Sequence, residues 1–370
     1  MERKLASIQK IVSLTPISGA DMIEKATVLG WELVVAKKEN FKAGDLCVYC
    51  EIDSIFPDKP EFEFLRIRKF RIKTIKLKGQ ISQGICFPLS ILPKRQSNYT
   101  EGEDVTAMLE ITKHDPQAEY ERIETERLAS LDKNRMDKFL KRYAWYRKLI
   151  FKPARTPFPS FIRKTDEDRI QLFPNACEVW KGVQFTVTEK LDGQSGSYFV
   201  IPNPRKGIFR KKWIFGVCSR NFQLLKDDGS SYRTIAKQEK MKKKLVTWCK
   251  KNGMGIIVQG EIIGSKIQGN KYKRSGYEFY VFNVIAYKKG EDFYYNQNDQ
   301  NAFCMNNSLL VVPKIEECTL PGSISEIVEM AKGNSVINKS ICREGIVMRN
   351  YASRISFKVI NPDFLLKYSE

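Results

Sequence analysis

The 370-residue chain changes character once, and that change limits what it can fold into. On either side of residues 116–164 lie short runs rich in β-branched and aromatic residues, cut by Gly, Pro and Asp. Upstream, ATVLGWELVVA, DLCVYCEI and FRIKTIKLKGQISQGICFP predict a small antiparallel barrel or sandwich over residues 1–115. In the intervening stretch, Leu128, Leu131, Met136, Phe139, Leu140 and Tyr143 fall near helical spacing, and prolines in FKPARTPFPSF break the pattern. A basic helical connector over 116–165 is expected. Downstream, QFTVTEKL, IFGVCSR, GIIVQGEII, EFYVFNVIAY, GIVMRN and ISFKVI interleave with helical segments without a regular βαβ alternation. The fold class is therefore read as α+β, with antiparallel sheets and flanking helices over residues 166–370.

Charge and composition then narrow the chemistry. Lysine and arginine exceed the acidic residues by 20, which suits a polyanionic partner, although solubility alone would explain some excess. The excess is uneven, about +7 over 116–164 against about +2 over 1–115. The single histidine, His114, leaves a Ser-His-Asp, Cys-His or zinc hydrolase only one imidazole to build on. Cys47 and Cys50 have CxxC spacing, but their flanks alternate like a strand and no second ligand pair follows, so no zinc site is expected. Nine scattered cysteines do not resemble a disulfide framework and point to a reducing compartment. With no signal-like h-region and no apolar run of membrane length, an intracellular, unsecreted protein is expected, with no membrane partner.

The sharpest motif is TEKLDG. Lys190 stands at the end of an apolar strand, where desolvation or a neighbouring cation can lower its pKa toward nucleophilic use. Asp192, two residues on, can orient that amine or hold a metal through water. Gly193 is expected to let the backbone turn where a phosphate approaches. Downstream, in order, come Arg220 in CSRNFQL, Glu261 in VQGEIIG, Phe282 in EFYVFNV, Glu344 in REGIVMR and Lys358 in SFKVIN. Individually, Phe282 reads as core and the charged residues as surface. Glu261 differs, because a carboxylate between apolar pairs is costly to bury unless it has a task. Together they supply an amine, carboxylates, a stacking ring and phosphate-binding cations, the inventory for attack on the α-phosphate of a nucleoside triphosphate.

With these motifs in this order, the sequence resembles the covalent nucleotidyltransferases, the polynucleotide ligases and RNA-capping enzymes. It is most similar to the ATP-dependent RNA ligases of the Naegleria type, in which an OB-fold barrel precedes the catalytic domain. RKLASIQKI, GWELVVAKKENFKAGDLCVYCEIDS and RIKTIKLKGQISQG look like that OB module, and GSKIQGNKY after Glu261 looks like an RNA ligase. The resemblance implies that Lys190 carries AMP, with Glu189 at the adenine side and Asp192 near the metal. Arg220 would contact ribose, Glu261 a ribose hydroxyl or metal-bound water, and Phe282 the adenine. Glu344 would hold Mg²⁺ or Mn²⁺, Lys358 the α-phosphate and Arg169 the triphosphate. The implied metal ligands are thus Asp192, Glu261 and Glu344.

The implied activity is ATP-dependent sealing of 3′-hydroxyl and 5′-phosphate RNA ends by a monomer, at breaks in a nicked duplex. RNA contacts are expected from Arg71, Lys73 and Lys76 in the barrel and from Arg205 and Arg210. Two positions depart from the family pattern. Ser356 stands where several relatives have a second phosphate-binding lysine, for which Arg354 is the alternative, and Ser195 stands where some have asparagine. A capping guanylyltransferase, a DNA ligase and an inactive RNA-binding protein are the rival readings.

Overall fold

A computed structural model describes residues 4–93, 98–113, 122–123, 139–140, 143, 154–204, 212–289 and 291–368. His114, Arg205, Arg210 and most of the expected connector helix lie outside the described residues.

The N-terminal domain is an OB-fold built from ten short strands: β1 (Ala6–Lys10), β2 (Ser13–Pro16), β3 (Ile23–Val28), β4 (Trp31–Ala36), β5 (Leu46–Cys50), β6 (Ser54–Ile55), β7 (Ile75–Leu77), β8 (Gln80–Ser82), β9 (Ile85–Phe87) and β10 (Thr112–Lys113). They pair antiparallel as β1-β5-β9, β2-β3-β4, β6-β10 and β7-β8. The period-2 pattern explains the packing. In β4, Trp31, Leu33 and Val35 are buried while the residues between them are half-exposed. Strand β5 feeds two cores at once, Val48 and Cys50 into one and Cys47 and Tyr49 into the other. Alternation thus sends the two CxxC thiols in opposite directions, and both are buried strand cysteines. The Cys47 sulfur lies 3.4 Å from that of Cys86 instead.

FRIKTIKLKGQ is less of a strand than its sequence suggests. Arg71 forms a single bridge with Ile55, and Ile75–Leu77 pairs in a hairpin with Gln80–Ser82 whose two-residue loop, Lys78-Gly79, has positive φ at both positions. Leu77, apolar within this run, is exposed.

The C-terminal domain contains two sheets. The larger runs in the order β11 (Arg155–Pro157), β15 (Phe222–Leu224), β14 (Trp213–Cys218), β13 (Gln194–Pro202), β16 (Gly255–Gly264), β17 (Tyr277–Lys288), β18 (Glu291–Tyr294), with β19 (Leu310–Val311) parallel to β17. The smaller runs β20 (Lys314–Thr319), β12 (Gln184–Lys190), β21 (Gly345–Asn350), β22 (Ile355–Ile360). Apart from β17–β19, the pairings are antiparallel.

Helices flank these sheets: α1 (Ala176–Val179), α2 (Ser231–Gln238), α3 (Met241–Asn252), α4 (Gln297–Asn306), α5 (Ile324–Met330) and α6 (Pro362–Tyr368). Ile235, Leu245, Cys249 and Phe303 of α2, α3 and α4 pack on Val258, Ile262 and Val281 of the larger sheet. Ala176 and Ile327 of α1 and α5 pack on Val187, Met348 and Phe357 of the smaller.

The domain boundary needs one correction. Residues 155–165 were expected to belong to the connector, yet Arg155–Pro157 pairs with β15 and Ile162 is buried against Phe199 and Ile257. An apolar segment, PFPSFI, follows the basic stretch, and burying it on the sheet draws this part of the chain into the catalytic domain.

The two domains touch where the chemistry is expected. The Arg169 guanidinium sits 5.0 Å from the Trp31 ring centre, and Lys76 Nζ donates to the Leu366 carbonyl of α6 at 2.8 Å.

Candidate active site

The chain crosses between the two C-terminal sheets through Leu191–Gly193, from the end of β12 to the start of β13, and again through residues 312–313, from β19 to β20. Lys190 therefore stands where they converge. Its register partner on β21 is Gly345, which places Glu344 beside it. Across the gap, β16 contributes Glu261 and β17 contributes Phe282, while β22 contributes Lys358. Arg169, Glu189, Lys190, Asp192, Arg220, Glu261, Phe282, Glu344 and Lys358 all line one cleft of about 480 Å³. Arg71, Lys73 and Lys76 do not. Arg71 is paired with Asp53 at 2.6 Å, Lys76 is engaged by α6, and Lys73 is exposed.

The electrostatics centre on Lys190. Its Nζ lies 2.6 Å from Glu344 Oε1, with the lysine side chain 24% exposed and the glutamate 16%. Burial works to lower the lysine pKa, but Glu344, then Glu261 and Asp192, outweigh it and raise the pKa above its ordinary value. The protein's own groups thus hold an ammonium, contrary to the depressed value expected of a nucleophile. The three carboxylates are the reason. Burial also raises Glu344, opposed by Lys190, and pushes Glu261 up to about 8. Lys358 is driven down to about 8 by burial and by the nearby positive charges of Lys190 and Arg169.

Asp192, Glu261 and Glu344 do not form a preformed metal cage. Among the described residues no three His, Cys, Asp or Glu side chains are close enough to hold an ion together. Asp192 is turned toward Lys271 at 2.6 Å and Glu344 toward Lys190. The residues nevertheless fit a hydrated divalent cation, which needs only one or two carboxylates beside its waters and a substrate's phosphates. Glu344 Oε2 is buried without a hydrogen bond, an orphan acceptor beside the lysine.

The end of the cleft around Glu189 and Phe282 is built by strands. Glu189 is buried, its Oε2 accepts from the Val336 N–H at 2.8 Å, and its Oε1 makes no hydrogen bond. Arg349, which the sequence reading missed, lies 5.7 Å from the Phe282 ring centre and is held by Glu167 at 3.1 Å. Its signal was present: Gly345, Val347 and Arg349 alternate on one face of β21, opposite Lys190, Thr188 and Thr186. Lys271 and Tyr272 were also missed as individuals, although both lie in GSKIQGNKY. The Asp192 N–H donates to the Tyr272 hydroxyl at 2.8 Å. Trp31, from the other domain, could not have been found by local pattern.

Of the departing positions, Arg354 packs over Tyr294, 5.7 Å from its ring centre, and Arg354 and Ser356 line a separate small pocket. Neither stands beside Lys358 in the cleft. Arg169 does, its backbone bridged to that of Lys358. Ser195 lines the cleft and shares a 2.6 Å hydrogen bond with Thr165.

Comparison with known proteins matches an OB-fold domain over residues 5–89 and RNA ligase over residues 183–368. Among solved structures, Naegleria gruberi RNA ligase with PPi is 31% identical, covers 99% of each chain and has a TM-score of 0.71. A variant of that ligase with ATP and Mn is 30% identical over 98% of this chain and 99% of its own, with a TM-score of 0.72. No curated protein matches in sequence comparison. Among the described residues, no helix is long and apolar enough to cross a membrane.

Proposed function

The chain belongs to the RNA ligase family, and from that premise we propose that it uses ATP to join 3′-hydroxyl and 5′-phosphate RNA ends, carrying AMP on Lys190 between steps. The observation that carries the reading is the position of the Lys190 amine, against Glu344 in a cleft that also holds Phe282, Glu261 and the cations Arg169, Arg220 and Lys358. Mg²⁺ or Mn²⁺ suits the chemistry, and Naegleria gruberi RNA ligase variants are known with ATP or AMP and Mn. When bound, the cation supplies positive charge that offsets the carboxylates around Lys190 and the charge developing on phosphate.

The residues divide the work. Phe282 offers a face for adenine, and the free Oε1 of Glu189 can accept from its exocyclic amine. Glu261 and Arg220 hold the ribose side, with Asp192 near the phosphates. Lys358 and Arg169 neutralise phosphate oxygens. Lys190 Nζ, an ammonium at rest, gives one proton to Glu344 Oε1, forms a bond to the α-phosphorus and releases a second proton to solvent as the phosphoramidate forms. The bond from that phosphorus to the bridging oxygen breaks, and pyrophosphate leaves with the electron pair.

In the second step, an oxygen of the RNA 5′-phosphate attacks the α-phosphorus. The phosphorus–nitrogen bond breaks and Lys190 recovers its amine. Finally the RNA 3′-hydroxyl attacks the activated 5′-phosphate, AMP departs and the strand is joined. A nicked duplex, bound by a monomer with the OB-fold on the backbone, suits this sequence.

The direct test is labelling. Wild-type protein with α-labelled ATP should become covalently labelled and Lys190→Ala should not; a labelled Lys190→Ala protein would refute the assignment. Labelling by GTP in preference to ATP would favour a capping enzyme. Matched nicks ending in ribose or deoxyribose separate RNA from DNA joining, with faster sealing expected at the ribose end.

A further inference from the structure

The helices α2, α3 and α4 cover the face of the larger sheet turned away from the cleft, since Val258 and Ile262 of β16 face them while Glu261 between them faces Lys190. On that outer side, α3 and α4 enclose a second groove of about 1030 Å³. Four lysines line it, Lys240, Lys243, Lys244 and Lys251, against a single carboxylate, Asp299. Lys244 is engaged by Glu239 at 3.2 Å and by the Ser308 carbonyl. Lys240, Lys243 and Lys251 are exposed and have no ion pair among the described residues.

Helical spacing makes the row. Lys240 stands just before α3, and positions 243/244, 247/248 and 251 fall on one face of the helix, a stripe about 12 Å long at 1.5 Å per residue. The sequence alone allows this lysine run to be a solvated helix face. Two structural facts argue otherwise. The lysines border a concavity, and its floor is aromatic: Trp248 and Tyr295 are half-buried, each packed edge-on against Phe303, at 6.4 and 6.3 Å between ring centres. Cations spaced along a groove with held rings between them match alternating phosphates and bases better than they match an acidic peptide, which has no recurrent planar group. A membrane surface would need a convex apolar face, and here the apolar side chains point inward.

We propose that this groove is a second RNA-binding site, one that holds single-stranded RNA flanking the break being sealed. It rests on the ligase reading only for the identity of the strand; the groove's affinity for RNA is independent of Lys190 chemistry. Phosphates lie on Lys240, Lys243 and Lys251, and bases stack on Trp248 and Tyr295.

The test compares two nicked RNA duplexes by fluorescence anisotropy, one blunt and one with a single-stranded RNA tail, using the full chain. At about 0.1 M salt the tail should tighten binding about tenfold, and at about −0.7 per contact the three lysines should steepen the log–log salt slope by about 2. The triple variant Lys240→Glu, Lys243→Glu, Lys251→Glu should lose the tail's effect, keep its affinity for the blunt duplex and keep its labelling by ATP. Lys→Arg at the same positions should retain the tail's effect. A tail that adds nothing to wild-type binding, or a triple variant that still gains tenfold from it, overturns the proposal. If a double-stranded extension gives the full effect, the single-strand assignment is wrong. If wild-type protein neither labels nor seals, the ligase reading fails while the tail measurement still decides this one.

Discussion

Gly193 closes TEKLDG at the crossing between the two catalytic sheets. A Cβ added there would lie 2.3 Å from the Ile262 carbonyl oxygen, 2.9 Å from Glu261 Cγ and 3.0 Å from Ile263 Cγ2. An ordinary carbon–oxygen contact is about 3.3 Å, so Gly193→Ala must open this approach by about 1 Å. The neighbour is backbone and cannot swing aside. Overpacking of this kind costs about 1–3 kcal/mol, a fall of roughly 2–12 °C in Tm for a domain of this size. The displaced atoms are those that set Glu261 against Lys190, and a 1 Å error in such a geometry costs about 100-fold in rate.

The assay is single-turnover labelling with α-labelled ATP, with a melting curve on the same preparation. Gly196→Ala on the same strand is the comparison. Its Cβ would meet only side-chain carbons, Ile262 Cδ1 and Tyr232 Cδ1, both at 3.3 Å, so a loss of less than about threefold is expected. A Gly193→Ala protein that labels at the wild-type rate and melts at the wild-type temperature would refute the reasoning. The outcome would also say why this glycine is there, since its backbone angle is not in the left-handed region and the close approach alone demands it.

Three further outcomes are expected. Burial holds the Glu261 pKa up to about 8, so the folded protein keeps a proton that an unfolded glutamate releases near ~4.3. The stability contributed by this group is therefore lost as pH rises from about 5 through 8. In EDTA, Glu261→Gln should melt above wild type at pH 8, with the difference closing toward pH 5. Tyr272→Phe removes the acceptor of the Asp192 N–H, a loss of about 1–3 kcal/mol that should slow labelling roughly 5- to 150-fold. Wild-type rates in that variant would show that the hydroxyl does not hold Asp192. Lys76→Ala should leave the salt slope of RNA binding unchanged and make α6 more susceptible to limited proteolysis, because its ammonium serves the Leu366 carbonyl. A reduced slope would return Lys76 to the RNA interface.

Much of the candidate site could be read from the chain because Lys190, Glu261, Phe282 and Lys358 each hold a fixed place in a strand's local pattern. Lys190 ends an apolar strand, and Glu261 interrupts one. Fold class followed from the period-2 runs. What local pattern cannot carry is how distant segments meet. Asp192 and Lys271 are 79 residues apart in sequence, and their pairing depends on the loop after β16 folding back on the β12–β13 turn. Arg71 and Lys76 read as RNA contacts because nothing nearby in sequence reveals Asp53 or Leu366. The raised Lys190 pKa escaped for the same reason: desolvation of a strand end is visible in sequence, but the sum of carboxylates from β16, β21 and the turn is not. The boundary at 166 was late because the run of prolines reads as linker while the phenylalanines among them are packing residues.

The short Leu191–Gly193 crossing gives the molecule the mechanics of a pair of pliers. The reactive amine stands at the rivet, whereas Phe282 and Lys358 ride on opposite jaws. When jaws part, their tips travel far and the rivet hardly moves. A nucleotide tethered at Lys190, as proposed above, would keep its place were the gap to widen around a broken strand.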